Sequence, residues 1–324
     1  MCKVSVLVAV YNAEATLPQC LDSLLSQTLN DIQIICIDDG STDGSLHILN
    51  TYALKDMRVE VIRLLENSGQ AHARNVGLQR AEGDIVCMVD ADDWLSVDAL
   101  EQMAAAFDDK TDSVLFDVVY KYADHEEPYP MTNFNALTGE EAFRLSLTWK
   151  IHGLYGIRRT IHQQHPYDET CRTYSDDNTT RVHYLLSRKI RKCQGIYYYR
   201  QHSDSVTHQI SVRRFDYLRA NESMRCQMLQ LHVAKELIDE YENHRWLNLV
   251  GIYMFYHVHG RQLTKAEREH GLRELRHAWT AIDRRALQKV TTAKFGYHPC
   301  NSWTLFRLQE WLYFTLRGMM GKNY

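Results

Sequence analysis

Residues 4–43, VSVLVAVYNAEATLPQCLDSLLSQTLNDIQIICIDDGSTD, hold the alternation from which the fold is read. Val4–Val10 is a short apolar run rich in β-branched residues that stops at Tyr11-Asn12, as a buried strand does. Leu17, Leu21, Leu24 and Thr28 then recur at helical spacing, and Ile32–Ile37 is a second apolar run halted by Asp38-Asp39-Gly40-Ser41. Working outward, Ser45–Tyr52 reads as a helix, Val59–Leu64 as a strand, Ala71–Ala81 as a helix and Ile85–Val89, after Gly83, as a fourth strand. Val97–Phe107 reads as a further helix and Ser113–Tyr120 as a strand. Strands alternating with helices predict βαβ units and an α/β fold with a mixed, mainly parallel sheet flanked by helices. Such sheets bind ligands outside the carboxyl ends of their strands. The polar residues Tyr11, Asp38-Asp39 and Asp90–Asp93 fall at those ends.

Further along, Asp124–Thr138 is polar, holds two of the five prolines and reads as a loop. Residues 139–210 mix short helices with an aromatic strand, Ile196–Arg200. After about Ser211 the character changes to long amphipathic helices, expected over Arg213–Tyr241, Trp246–His259, Lys265–Thr280 and Ser302–Met319. We therefore expect an α/β region at 1–210 and an α-helical region at 211–324.

The chain has 324 residues with a formal net charge of −4, which excludes a generally basic nucleic-acid binder. The charge is unevenly spread: residues 1–186 carry 14 Lys and Arg against 29 Asp and Glu, and residues 187–324 carry 23 against 12. An acidic half suits a metal ion, and a basic half suits phosphates or an anionic membrane. The eight cysteines show neither CxxC pairing nor zinc-ligand spacing, which fits a reducing, cytoplasmic compartment. No signal-peptide pattern opens the chain, and no stretch approaches the roughly 20 uncharged apolar residues of a membrane span.

Asp90-Ala91-Asp92-Asp93 follows an apolar strand directly. Three carboxylates at a strand end repel one another unless a cation neutralises them, and hard oxygen ligands suit Mg²⁺ or Mn²⁺. The plain structural alternative is that Asp92 or Asp93 caps the following helix. Asp38-Asp39-Gly40-Ser41-Thr42-Asp43 likewise offers a carboxylate to a base or ribose, or else merely turns the chain into the next helix.

Taken together, Val8-Ala9-Val10-Tyr11-Asn12-Ala13-Glu14, Asp38–Asp43, Asn67-Ser68-Gly69 with Ala73-Arg74-Asn75-Val76-Gly77, and Asp90–Asp93 resemble, in this order, the nucleotide-sugar half of family 2 glycosyltransferases. The resemblance is strong over roughly residues 3–120 and weaker over 120–205. Ala9 stands where the family has Pro. It implies a GT-A-type, Rossmann-like catalytic domain over 1–210, with 1–120 binding the nucleotide sugar and 120–210 the acceptor. It also implies donor contacts at Ala9, Tyr11, Glu14, Asp39, Arg74, Asp90 and Ala91. Tyr11 would stack on the base, usually uracil; Asp39 would bond the base or ribose; Asp92 would ligate Mn²⁺ or Mg²⁺. Tyr174-Ser175-Asp176-Asp177 is similar to the family's Gly-Glu-Asp segment, which makes Asp177 the implied general base, with Asp176 its rival because the flanks are altered. Tyr197–Ser205 is similar to a later YYR…S segment and offers Arg200 and His202 as diphosphate or acceptor contacts, with the loop after Asp204 as a lid. Leu154–Arg159 lies where the family often meets its acceptor.

The expected reaction is therefore inverting, metal-assisted transfer of a hexose or N-acetylhexosamine from a nucleotide-diphosphate sugar, UDP-linked, to a hydroxyl of a glycan or lipid-linked glycan. A sugar nucleotidyltransferase is the competing enzyme, but it needs a Gly-rich phosphate loop that Val8–Glu14 lacks. A non-catalytic scaffold of the same fold is the third reading, against which the full acid set speaks. Finally, Leu305, Leu308, Leu312, Leu316 and Met319 share one face of the Ser302–Lys322 segment. That face either lies on the inner surface of the cell membrane or packs on the chain itself or a second subunit.

Overall fold

In the computed structural model, which describes residues 3–171, 173–201 and 210–322, strand β1 (Val4–Val10) sends alternate side chains into two cores. Val4, Val6, Val8 and Val10 face one core, and Leu7 faces the other with Ile35, Ile37, Ala73 and Val86. This period of two explains why the strand is apolar on both faces: each face is covered by helices. Helices α1 (Leu17–Leu25), α2 (Ser45–Lys55) and α4 (Ala99–Ala105) bury Leu17, Cys20, Leu21, Leu24, Leu49 and Met103 in the first core. Helix α3 (Gln70–Leu78) buries Ala73 and Leu78 in the second.

The remaining strands are β2 (Ile32–Asp38), β3 (Val59–Arg63), β4 (Ile85–Met88), β5 (Trp94–Leu95), β6 (Ser113–Lys121), β7 (Glu126–Pro128), β8 (Tyr155–Arg158) and β9 (Ile190–Arg200). They form one sheet in the order β3-β2-β1-β4-β8-β6-β9-β5, with β7 on β6. The β3-β2-β1-β4 half is parallel, as the alternating pattern requires. Beyond it β8 runs antiparallel to β4 and β6, and β9 returns parallel to β6. Helices α5 (Gly139–Leu147), α6 (Arg159–Gln164) and α7 (Ser175–Leu186) join these strands.

Three local expectations need correction. The helix expected over Val97–Phe107 starts only at Ala99, because Trp94 and Leu95 pair with Tyr198 and Tyr197 of β9, a partner about a hundred residues away. The loop expected over Asp124–Thr138 contains β7, which pairs Glu126 with Lys121. Residues 139–210, expected to hold short helices and one aromatic strand, also contain strand β8 within the Leu154–Arg159 segment. Its Tyr155, Gly156 and Ile157 are buried, Arg158 donates to the carbonyls of Asp108 and Thr111, and Arg159 donates to that of Gly83.

Residues 3–171 with 179–201 make one unit, and 173–178 with 210–322 make a second, helical one. In the latter, α8 (Asp216–Gln230), α9 (Lys235–His259), α10 (Lys265–Ala281) and α12 (Trp303–Met319) enclose a core that includes Phe215, Trp246, Tyr253, Leu275, Phe306 and Phe314, while the short α11 (Lys289–Thr292) buries none of its residues. The expected helix over Arg213–Tyr241 is broken at 231–234 and not after Tyr241. His232 adopts φ 52°, and the Val233 N–H reaches the Met228 carbonyl at 3.0 Å, a helix stop that needs a left-handed residue.

Glu310 of α12 is fully buried, its Oε1 meeting only Gln309 and its Oε2 without a partner, and burial pushes its carboxyl up to about 8. A carboxyl raised in the folded state stabilises the fold at low pH and loses that contribution as pH climbs from the unfolded value, near 4.5, through 8. The helical unit should thus lose roughly 1.4 kcal/mol per pH unit across that window. Thermal unfolding from pH 5 to 8.5 should show the slope, and Glu310→Gln should flatten it.

Candidate active site at the carboxyl edge of the sheet

Parallel pairing sets three strand ends side by side. Val10 of β1 pairs with Asp38 of β2, and Leu7 with Met88 of β4. The ladder extends one step further, the Asp39 N–H donating to Val10 O at 2.8 Å and the Val89 N–H to Leu7 O at 3.1 Å. Tyr11, Asp38-Asp39 and Asp90–Asp93 therefore emerge on one edge. Ala9 lies in β1 and is half-buried, and the Tyr11 ring is 50% exposed.

The loops after β1 and β2 are laced together. Asn12, held at φ 49°, accepts from the Thr42 N–H at 2.8 Å and donates its own N–H to Ser41 Oγ at 3.1 Å. Glu14 donates its N–H to Asp43 Oδ2 at 3.1 Å, and its Oε2 accepts from the Gly44 N–H at 2.7 Å, at the head of α2. Gly40 sits at φ 70°, and a Cβ there would lie 2.8 Å from the Glu66 carbonyl carbon, so only glycine fits this turn. Asp39 is buried, its two carboxylate oxygens accepting from the Ser68 N–H at 2.8 Å and the Gly69 N–H at 2.9 Å. It ties the end of β2 to the start of α3.

The acidic turn after β4 distributes its charge unequally. Asp90 Oδ1 accepts from the buried Arg74 guanidinium at 2.6 Å and from Gln70 at 3.0 Å. Arg74 lies 5.3 Å from the Tyr167 ring centre. Asp93 is buried. Its Oδ2 and the Tyr197 hydroxyl share a 2.8 Å hydrogen bond, its Oδ1 accepts from the Arg200 N–H at 2.8 Å, and Tyr197 Oη accepts from the Asp90 N–H at 3.1 Å. Burial first, then the charges of Asp90 and Asp92, push the Asp93 carboxyl up to about 9. Ala91 is buried and Asp92 half-exposed. The Arg200 side chain is committed to this turn, donating to Asp92 O at 2.8 Å and Gln19 Oε1 at 2.6 Å, 4.8 Å from the Trp94 ring centre.

Asp90 and Asp92 present hard carboxylate oxygens, the donor chemistry of Mg²⁺ or Mn²⁺. Among the described residues no group of three or more His, Cys, Asp and Glu could hold a metal.

Asp176 and Asp177 occupy the first turn of α7, in the 173–178 segment that belongs to the helical unit. There Thr173 donates to Asp216 at 3.1 Å, Arg214 donates to the Tyr174 hydroxyl at 3.1 Å, and Asn178 donates to Ala220 O at 2.7 Å. His202 and the loop after Asp204 lie outside the described residues. Gln70 and Trp94, which hold the acidic turn, carry no mark in the sequence, and the role of Tyr197, noted only as part of the YYR…S segment, is not visible there. Their partners are 20 to 107 residues distant, and no local pattern marks them.

The model of the family described as "Glycosyl transferase family 2" matches residues 5–166. The protein described as "Putative glycosyltransferase EpsH", of Bacillus subtilis, is 42% identical over 121 residues, 37% of this chain and 35% of that protein. The chain thus spans about a third of that relative's length. Glycosyltransferase GlyG of Streptococcus pneumoniae is 30% identical over 217 residues, 63% of this chain and 72% of that protein. Among solved structures, S. aureus TarS 1–349 in complex with UDP-GlcNAc superposes with a TM-score of 0.76 at 20% identity, over 99% of this chain and 92% of that one. More distant structures of related fold were solved with Mn²⁺. The sheet order, the laced loops at its carboxyl edge and these matches agree: the chain belongs to glycosyl transferase family 2 and has its GT-A fold.

Proposed function

We propose that the chain transfers a hexose or N-acetylhexosamine from UDP to a hydroxyl of a glycan or lipid-linked glycan, with inversion at the anomeric carbon. The observation that carries this is the convergence of Tyr11, Asp39, the Arg74–Asp90 pair and Asp92 on one strand edge. The UDP and UDP-GlcNAc held by TarS support the choice of donor.

In this reading the exposed face of Tyr11 stacks on uracil, while Ala9 and Ala91 supply main chain that the nucleotide can approach closely. Asp39, fixed by two N–H donors, would accept a hydrogen bond from the base or its ribose. Glu14 holds the β1 and β2 loops in register beneath it. Arg74 neutralises Asp90, so that a ribose hydroxyl can donate to that carboxylate without a bare charge beside the phosphates. Asp92 would hold Mn²⁺ or Mg²⁺; when bound, the ion supplies charge stabilisation for the departing diphosphate. Arg200 keeps the Asp92 main chain in place, and Arg200 and His202 are the proposed contacts to the diphosphate or acceptor.

Asp177 is the proposed general base and Asp176 the alternative. The acceptor oxygen forms its bond to the anomeric carbon from the face opposite the diphosphate. Its proton passes to the aspartate as the sugar–diphosphate bond breaks and UDP departs.

A panel of nucleotide sugars with Mn²⁺ tests the donor class: UDP-sugars should raise the melting temperature and other nucleotides should not. Tyr11→Ala should weaken UDP binding roughly five- to a hundredfold, from the loss of ~1–3 kcal/mol of stacking; unchanged affinity by calorimetry would remove Tyr11 from the pocket. Asp92→Asn should abolish cation-dependent turnover while leaving the melting temperature near wild type, and full wild-type activity in EDTA would refute the ion's role. Asp177→Asn should lower turnover roughly 10²–10⁴-fold with UDP binding retained. Near-normal turnover in that variant moves the base to Asp176, where Asp176→Asn should then show the loss.

A further inference from the structure

Helix α12 packs into the helical unit through Phe306, Glu310, Tyr313 and Phe314. At 100° per residue the opposite side carries Leu305, Leu308, Leu312, Leu316 and Met319, and these are 43–79% exposed. Trp311, 53% exposed, borders the stripe. An uninterrupted apolar strip of this kind marks an interaction surface.

Its charge indicates what it meets. From Arg284 onward the chain holds seven cations, Arg284, Arg285, Lys289, Lys294, Arg307, Arg317 and Lys322, and a single acid, Glu310. That acid is fully buried, so among the described residues from Arg284 onward no side-chain carboxylate reaches the surface. Beside the stripe, between the end of α9 and α12, an open groove of about 1080 Å³ is lined by Tyr256, His257, Arg261, Arg268, Arg307 and Trp311 among others, none of them acidic. Among the described residues, no carboxylate pairs with Arg261, Arg268 or Arg307.

We propose that α12 and this groove dock on an anionic lipid bilayer, with the leucine stripe at the headgroup–acyl boundary and Arg261, Arg268 and Arg307 on lipid phosphates. No helix among the described residues is long and apolar enough to cross a membrane. At 1.5 Å per residue, α12 reaches only about 25 Å, and its other face is committed to the protein core. It therefore lies in the interface plane, where Trp at the border of an apolar face is favoured. A second copy of the chain is a poor occupant. Two-fold pairing of α12 would set cation against cation with no acid of residues 284–322 at the surface to answer them. This inference does not depend on the identity of the donor.

Flotation of the full chain with vesicles tests it. Vesicles of mixed phosphatidylglycerol and phosphatidylcholine should carry the protein. Pure phosphatidylcholine, or high salt, should weaken binding by roughly tenfold or more. Leu308→Asp with Leu312→Asp, and separately Arg261→Glu with Arg307→Glu, should each lose roughly tenfold or more in vesicle binding. All four positions are exposed, so circular dichroism and melting temperature should stay near wild type, and UDP binding should be unchanged. Failure of the intact protein to bind phosphatidylglycerol vesicles would overturn the proposal, as would wild-type binding by both double variants. Concentration-dependent dimerisation abolished by Leu308→Asp, without vesicle binding, would overturn it in favour of self-association.

Discussion

The organising constraint is electrostatic. Three carboxylates within four residues, at the end of a strand buried on both faces, cannot all remain charged and unanswered. The fold answers each differently. Asp90 is given a buried guanidinium, Arg74. Asp93 is drawn inward, hydrogen-bonded to Tyr197 and to the Arg200 main chain, with its carboxyl pushed up by burial and by its acidic neighbours. Asp92 stays half-exposed at the rim. Much of the surrounding structure follows from this arrangement. Helix α3 is placed to deliver Arg74 and Gln70, and β9 must run beside β5 so that Tyr197 and Arg200 reach the turn.

How much could be read from the chain depended on distance along it. The β3-β2-β1-β4 half rests on short βα units whose apolar runs and turn residues are contiguous, and its strands fall within a residue or so of their expected limits. The positions of Asp39 and of Asp90–Asp93 after β2 and β4 were legible for the same reason, whereas Arg74, inside α3, was marked only by the family resemblance. The other half rests on pairings between remote segments. Trp94 joins a sheet because of Tyr198, and Leu154–Arg159 is a core strand because β4 and β6 flank it. Neither fact has a local signature. The break at 231–234 was missed because histidine, which strongly marks no turn, supplies the left-handed residue that glycine usually supplies.

The C-terminal helix shows why composition alone left two readings open. Its aromatic and leucine residues lie on different sides, so the helix is both packed and apolar on its outer face. A periodicity count merges the two sets into one wide face. Only the burial of Phe306, Tyr313 and Phe314 separates what the fold uses from what it leaves available.

The lacing of Asn12 and Glu14 to Thr42 and Gly44 has a thermodynamic corollary. A cleft wall already cross-bonded by its own folding gives up little conformational freedom when a small molecule arrives. Recognition on that wall is then governed by shape and hydrogen-bond matching and not by the entropy of ordering a floppy segment. Such a rigid wall would let any movement needed for turnover be confined to other parts of the chain.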